Sequence, residues 1–484
     1  MQMRFLPKGP ARPSRKSEID AAADGVVDKP PIPPHPVDEI PRPPRLLLLG
    51  LQHLAIMYAG AVAVPLLVGG ALKLPAHTIG LLVNADLLVS GIVTIIQAVG
   101  VGRILGVRLP VVAGATFTVV SPMILIAQQF GGGEAGLPTV YGAILVSGVF
   151  GLIIARFFAM VVRFFPPLVS GCVICVIGLS LIGADAGLIA GDDPKAADYG
   201  QVSHVALAGL VIALIVVINR FGRGLVSQLA VLLSVAIGTL VAVPMHLVDM
   251  SAVGSSGWFA VSKPFIFGAA EFHLGAIISM CVVMLVTFTE STADMVAVAE
   301  MVDKELEPGD LGRGLAADGF SAVLAGFMNS FPDTAFAENV GLVGLTGVRS
   351  RWVVAACGGM LVALGLVPKV GSVVAALPGP VVGGAATVMF AMVTAVGLRV
   401  LHKVQFEGTS NMLIIAVTLS VALLPAVAPN IYTKFPTDFQ MIAGSPITSA
   451  VIVVFVLNLV FNHWGAGRRR APETAHSAEP APRT

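Results

Sequence analysis

Three acidic side chains stand out because they lie in stretches of sequence that are otherwise strongly apolar. Glu290 precedes Asp294 by one helical turn, and Glu338 is followed directly by Asn339. A charged side chain inside a membrane costs about 2.5–3.5 kcal/mol on insertion scales, so it is retained where it pairs or lines a cavity. Carboxylates accept hydrogen bonds from ring N–H groups, and Phe336 could stack on the ring. The pattern indicates a site for a planar, hydrogen-bonding solute.

Other polar residues interrupt apolar segments elsewhere in the chain. Gln52 and His53 are adjacent, Thr118 follows Phe117, and Asp318 stands alone. Backbone amides at the starts of half-helices could donate to exocyclic oxygens of a solute, and Phe117 offers another aromatic face. Structural roles remain open: a packing histidine for His53, a helix-pairing acid for Asp318, and a backbone-bonded hydroxyl for Thr118.

Composition places these residues in a membrane protein. Of the 484 residues, 56% are hydrophobic and only 12% are charged, whereas soluble domains carry about 25% charge. Long apolar runs of this kind form membrane-spanning helices. The net charge of +1 gives no indication of nucleic-acid binding. Cys172 and Cys175 have a redox or metal spacing, but packed thiols on a membrane helix are the favoured interpretation.

Neither an enzyme nor a cofactor site is predicted. The acidic residues are not accompanied by a nucleophile with its base or by a set of metal ligands. We therefore expect no catalytic residue, no cofactor and no metal.

The apolar segments number about fourteen, most of them near the length of about 20 residues that spans a bilayer. They centre near residues 57, 90, 118, 150, 176, 211, 237, 285, 320, 340, 362, 391, 419 and 453. The third, 109–127, is rich in Gly, Thr, Ser and Pro, and the tenth, 333–348, is short and acidic. Interrupted segments at corresponding places in two halves indicate a transporter site.

Basic residues are distributed unevenly over the loops. With both termini in the cytoplasm, the cytoplasmic loops and tails hold the arginines: Arg103, Arg108, Arg163, Arg220, Arg223, Arg313, Arg349, Arg351, Arg399, Arg42, Arg45 and the cluster at Arg468, together with Lys304 and Lys403. The opposite loops hold only lysines: Lys73, Lys195, Lys263, Lys369 and Lys434. This asymmetry fits the positive-inside rule and predicts cytoplasmic termini.

A weak internal repeat relates the two halves. Pro166–Gly171 opens the fifth segment, and the similar Gly379–Gly384 opens the twelfth, seven segments later. Seven is an odd number, so the halves would be inverted relative to each other. The flanks, residues 1–45 and 466–484, are rich in Pro, Ala and charge and are predicted to be disordered tails.

Several motifs resemble those of the nucleobase–ascorbate transporter family, also called the second nucleobase-cation symporter family. The run Glu338-Asn339-Val340-Gly341, followed by Thr346-Gly347, fits every position of the family signature. The resemblance covers residues 45–465 and is greatest to the bacterial uric acid and xanthine permeases. Supporting matches are Gln52-His53, Glu290-Ser291-Thr292-Ala293-Asp294 and Gly314-Leu315-Ala316-Ala317-Asp318-Gly319.

The resemblance implies an all-α membrane fold of about fourteen segments in two inverted seven-segment repeats. Segments 1–4 and 8–11, residues 46–160 and 271–375, would form a core domain. Segments 5–7 and 12–14, residues 161–270 and 376–465, would form a gate domain that mediates dimerisation. Short antiparallel strands in segments 3 and 10 would meet at the substrate.

The resemblance also implies roles for individual residues. Glu290 and Glu338 would bind the base through their carboxylates, Phe117 and Ala337 would offer backbone amides, and Phe336 would pack against the ring. Thr118 resembles the residue of urate-type members and would also contact the substrate. Proton coupling and structural support would come from Gln52, His53, Asp294, Asp318 and Asn339.

These features predict a proton-coupled nucleobase importer in the bacterial inner membrane that works by alternating access as a homodimer. Xanthine or uric acid is the expected substrate. One departure favours an alternative: purine transporters of the family usually carry Gln where this chain has Glu338, and uracil transporters carry Glu. A uracil-type permease therefore remains open. An anion exchanger or channel of the same fold is disfavoured, because the site is acidic.

Overall fold

The computed structural model describes residues 35–158, 166–191, 196, 199–407 and 410–463. Of the predicted N-terminal tail, residues 1–34 lie outside the described residues, and the predicted C-terminal tail lies wholly outside them. The tail's described part holds a 3-10 turn at Pro36–Asp38. The first long helix begins at Pro43, slightly before the predicted boundary at residue 46.

In the first half of the chain, one strand interrupts a series of apolar helices. The elements are α1 (Pro43–Ala61), α2 (Ala63–Ala71), α3 (Ala76–Val99), β1 (Ala113–Ala115), α4 (Val120–Gln129), α5 (Leu137–Ile154), α6 (Pro167–Ser180), α7 (Ile182–Ala190), α8 (Val202–Phe221) and α9 (Ala230–Ala242). Short turns of helix lie at Phe117–Val119, Gly133–Gly136, Leu225–Gln228, Val243–Met245 and Ser251–Ser255.

The second half also has a single short strand among apolar helices. Its elements are α10 (Leu274–Met301), α11 (Pro308–Met328), β2 (Asp333–Ala335), α12 (Ala337–Thr346), α13 (Arg351–Gly365), α14 (Pro368–Ala375), α15 (Gly379–Leu401), α16 (Asn411–Val427), α17 (Thr437–Ala443) and α18 (Pro446–Asn458), with a π-helical turn at Leu459–His463. Prolines at the first turns of several helices suit positions where the backbone N–H has no intrahelical partner.

The predicted all-α membrane fold is confirmed. Within the described residues, eight helices or helix pairs are long and apolar enough to cross a membrane. The pair α13 and α14, bent by 81°, would make a ninth. Each predicted segment centre falls in a helix, but several of these helices are too short or too polar to span by length and composition alone. The count of fourteen therefore stays a prediction.

The short strands expected in the third and tenth segments are present. They pair antiparallel, with Ala113 opposite Ala335 and Ala115 opposite Asp333. Two flanking bonds extend the ladder, from Thr116 N to Pro332 O at 3.0 Å and from Phe336 N to Val112 O at 2.9 Å. Since each strand has only three residues, the chain resumes helix within two residues after each strand.

The helices pack as two groups. In one group, α3 contacts α13, α14 and α11, while α5 contacts α10 and α11. In the other, α15 contacts α6, α7 and α8, and α18 contacts α6 and α16. Close approach in the first group depends on glycine: a Cβ added at Gly91 would lie 2.7 Å from Gly358 O. The predicted boundaries of core and gate domains stay a prediction.

Helices that lie seven predicted segments apart make equivalent contacts. The packing of α3 on α13 is matched by that of α11 on α5, and the packing of α1 on α13 by that of α10 on α5. The paired strands are themselves seven segments apart. Such matching is what an inverted repeat would produce, although the repeat itself remains a prediction.

Candidate functional site

The crossing of β1 and β2 creates a small cavity inside the helix bundle. Each strand leads into the start of a helix, β1 into the turn Phe117–Val119 and α4, and β2 into α12. The first N–H groups of a helix lack intrahelical partners and carry partial positive charge, so both helix starts suit an electron-rich solute. The cavity measures about 150 Å³ and is lined by Ala115, Thr116, Phe117, Ile174, Ile177, Glu290, Ala293, Asp294, Thr334, Ala335, Phe336, Ala337, Glu338, Val393, Val396 and Val400.

Glu290 reaches this cavity from the middle of α10 and is held by two hydroxyl groups. Thr116 Oγ1 lies 3.2 Å and Thr118 Oγ1 lies 3.1 Å from Glu290 Oε2. The two threonines also contact each other, with Oγ1 atoms 3.0 Å apart. One carboxylate oxygen is thus fixed by the strand-end turn, which leaves Oε1 to accept a bond from a solute. Thr118 contacts the acid and is not among the residues that line the cavity.

Glu338 lies in the first turn of α12, exposed to open space between helices. It borders the site cavity and also a second cavity of about 320 Å³. That second cavity is also lined by Asn219, Gln228 and Met392, among others. Glu338 therefore borders both cavities from the first turn of its helix.

The two predicted aromatic residues, Phe336 and Phe117, both line the cavity but pack against different neighbours. The Phe336 ring is buried against Gly114, where an added Cβ would lie 2.9 Å from ring atom Cδ2. Phe117 packs edge-to-face on Phe390 of α15, with ring centroids 5.5 Å apart. Phe117 thus links the strand-end turn to a helix of the other group. Ala337, the first residue of α12, is exposed and lines the cavity.

His53 and Asn339 meet next to the cavity. Asn339 Nδ2 lies 3.1 Å from His53 Nδ1 and donates to His53 O at 3.0 Å. Because the amide nitrogen is a donor, His53 Nδ1 is the acceptor, which places the proton of the neutral ring on Nε2. The histidine thus ties α1 to the first turn of α12. Gln52 is not brought into this network; it lies half-buried on the neighbouring face of α1.

The remaining two predicted acids occupy different places. Asp294 lines the cavity one turn after Glu290. Asp318 is fully buried on α11 behind the strands, where its Oδ1 accepts a bond of 2.9 Å from Gln97 Nε2. The same amide bonds Gly314 O at 2.9 Å. Asp318 therefore contacts α3 and does not line the cavity.

Sequence reasoning missed the hydroxyl residues that hold the strands in place. Ser291 Oγ accepts a bond from Ala335 N at 3.0 Å and lies 2.9 Å from Thr334 Oγ1. Thr94 Oγ1 accepts from Ala113 N at 3.0 Å. Small hydroxyl residues are common on membrane helices, so only the presence of an adjacent short strand distinguishes these.

Comparison with known proteins identifies extended similarity. A model of a permease family matches residues 44–431. The nucleobase transporter PlUacP of Paenibacillus larvae is 39% identical over 438 residues, 90% of this chain and 99% of that protein. The uric acid transporter UacT of Escherichia coli is 38% identical over 88% of this chain and 89% of its own length. The xanthine permease of Bacillus subtilis is also 38% identical, over 88% and 95%.

Solved structures share the fold at much lower sequence identity. The transmembrane domain of the cyanobacterial bicarbonate transporter BicA matches with a TM-score of 0.55 and 13% identity, over 85% of this chain and 96% of that one. SLC26A9 matches with a TM-score of 0.59 and 12% identity, over 95% and 72%. These two similarities establish the architecture alone.

Proposed function

Because the chain belongs to the nucleobase–ascorbate transporter family, we propose that it imports xanthine or uric acid together with protons across the bacterial inner membrane. Relatives that are 38% identical over most of the chain carry the names uric acid transporter and xanthine permease. Membership of a transporter family also supports the expectation that the chain is not an enzyme.

The observation that carries the proposal is the pairing of Glu290 with a helix start across one small cavity. Glu290 has an oxygen free to accept a ring N–H, and the amides of Phe117 and Ala337 could donate to exocyclic oxygens. Purine diones and triones present both groups on one planar ring. Phe336 and the aliphatic side chains of α6 and α15 would cover its faces.

Uracil is the second candidate, and Glu338 favours it. An ionised Glu at this position can only accept hydrogen bonds, so it suits a solute that presents an N–H there. A Gln could accept or donate. The comparisons name purine transporters, whereas this one residue resembles the uracil type, so the substrate must be measured.

We propose alternating access between the two helix groups. The core would hold the strands, Glu290 and Glu338, while the gate would supply α15 and α6 against the open face of the cavity. The second cavity extends from Glu338 towards Asn219 and Gln228, close in sequence to Arg220 and Arg223 at the predicted cytoplasmic end. This arrangement supports a conformation open to the cytoplasm. Dimerisation through the gate domain remains part of the proposal.

A competition experiment tests the substrate assignment. Cells that express the chain would take up labelled xanthine in the presence of excess unlabelled xanthine, uric acid, uracil, adenine or ascorbate. We expect xanthine and uric acid to compete at the lowest concentrations. Uptake of labelled uracil but not of labelled xanthine in a parallel assay would establish the second candidate. Uptake of neither label above that in cells with an empty vector would contradict both.

A further inference from the structure

Two carboxylates outside the base cavity lie together in the centre of the core. Asp86 belongs to the middle of α3 and Asp333 begins β2, and both side chains have 0% exposure. Neither lines the cavity, and neither carries a role in the proposed function. Ser90 lies one helical turn after Asp86 on α3 and donates to Asp333 Oδ1, so the same face of α3 brings the two carboxylates together.

Asp333 is well supplied with hydrogen-bond donors. Ser90 Oγ donates to its Oδ1 at 2.7 Å, and Ser321 Oγ donates to its Oδ2 at 2.6 Å. The Asp333 backbone N–H in turn donates to Ser321 Oγ at 3.0 Å. Short O–H···O bonds to both oxygens are typical of an ionised carboxylate. Asp333 is therefore the member of the pair that is built to hold negative charge.

Asp86 has the opposite environment. Among the described residues, neither of its oxygens has a hydrogen bond like those of Asp333, and the one hydroxyl near enough to interact with it is that of Ser330. Tyr141 also lies near Asp86, but its hydroxyl donates to Asn329 O at 3.1 Å. In the described part of the chain no Lys, Arg or His forms an ion pair with either acid.

Two adjacent carboxylates cannot both be ionised in an apolar interior without a cation, since like charges and burial each oppose it. We propose that Asp86 and Asp333 form a proton-binding pair in the core, in which Asp86 carries the proton and Asp333 the charge. Aspartic acid pairs that share one proton are a known solution to this problem. The remaining titratable groups that face the pair are Tyr141 and, across Ser321, Asp318.

A proton fits this place better than a metal cation. Hard metal cations take several oxygen ligands at once, whereas both oxygens of Asp333 already accept hydroxyl bonds. The proton site would be joined to the base site through the backbone, because the residues that follow Asp333, Thr334 to Ala337, line the cavity. The link between this proton site and transport rests on the proposed function. The assignment of a proton to Asp86 and Asp333 does not.

Infrared spectroscopy of the purified, membrane-reconstituted protein tests the pair directly, because a protonated carboxyl group gives its own C=O stretching band. We expect Asp86→Asn to lose one such band that wild type shows at neutral pH, while Asp333→Asn keeps it. The control Glu305→Gln changes an exposed acid and should leave the band unchanged. An identical band in wild type and Asp86→Asn would overturn the proposal.

Two further measurements test the pair if Asp86→Asn fails to fold, and test whether the bound cation is a proton or a metal ion. If Asp86→Asn does not insert, Asp86→Glu keeps a carboxyl group, and its band should shift in frequency; an unshifted band counts against the pair. Replacing choline by sodium at constant pH and ionic strength should leave the wild-type band in place. Loss of the band in sodium would show that a metal cation displaces the proton and would overturn the assignment. These spectra require no transport, so they can fail independently of the competition experiment.

Discussion

At the scale of single residues, Glu290 has the best-supported position in the site. Two threonine hydroxyls fix one of its oxygens, and the carboxylate borders the cavity. We expect Glu290→Gln to abolish uptake, because a charge-assisted bond to a ring N–H is roughly twice as strong as a neutral one. Labelled-base binding and uptake should be measured in membranes with matched expression.

The control for this variant lies on the same helix. Glu300→Gln replaces an exposed acid near the end of α10 and should leave uptake close to wild type. Near-normal base binding by Glu290→Gln would show that the carboxylate does not contact the base.

Glu338 should determine which base is selected. An ionised Glu338 faces any carbonyl oxygen of the solute as a second acceptor, and an unpaired buried acceptor costs about 1–3 kcal/mol, or roughly ten- to a hundredfold in affinity. Glu338→Gln should therefore change the order of competition constants among uracil, xanthine and uric acid. The measurement is these three constants in wild type and in the variant. An equal loss for all three would assign Glu338 to structure or coupling instead.

At the scale of secondary structure elements, the sequence predicted the two interrupted segments because glycine, threonine and an acid break their apolar pattern. The short strands within these segments were predicted only from the family resemblance. Three residues are too few to show the alternating pattern of a strand in the sequence. The supporting hydroxyls of Thr94 and Ser291 could not be recognised, because hydroxyls on membrane helices usually bond their own backbone. Asp86 and Asp333 were not paired for a similar reason: their contact depends on how α3 packs.

The packing of Phe336 gives a prediction at this scale. A Cβ at Gly60 of α1 would collide with the Phe336 ring, which stands between the helix and the strands. Overpacking of this kind costs about 1–3 kcal/mol, so Gly60→Ala should displace Phe336 and weaken base binding. The matched control is Gly359→Ala on α13, where the added methyl group meets no atom within 4 Å. Equal binding by the two variants would show that the Phe336 position does not matter.

At the scale of the whole molecule, composition alone was enough to predict the membrane class, because the charged share of 12% is about half of that usual in soluble domains. The number of membrane-spanning segments is harder to obtain, either from the sequence or from the lengths of the helices. For example, α12 has only ten residues, and α11 carries Asp310, Arg313 and Asp318. Such helices cross a membrane only when neighbouring helices cover their polar groups, which is a property of the assembled bundle.

The orientation of the molecule can be tested by topology reporters. The arginines lie in one set of loops, and Arg351 at that end bonds the backbone oxygens of Ala98 and Val99 at 3.0 Å and pairs with Asp38. We expect both termini to be cytoplasmic. Reporter fusions at residue 470 and beside Asp193 should show opposite sidedness. The same sidedness at both places would be incompatible with fourteen segments.

The energy source for uptake follows from the charges of the whole core. Glu290, Asp294, Asp318 and Glu338 lie in or behind the site, and within the described residues no Lys, Arg or His forms an ion pair with any of them. A core with this many acids binds protons readily, and each inward proton gains about 2.3 kcal/mol per 100 mV of membrane potential.

We expect uptake of labelled base to stop when a protonophore is added and to be restored in proteoliposomes by an imposed pH gradient. A sodium gradient imposed at equal pH on both sides is the control and should drive no uptake. Uptake that follows sodium and ignores the protonophore would reject proton coupling while leaving the base-binding site intact.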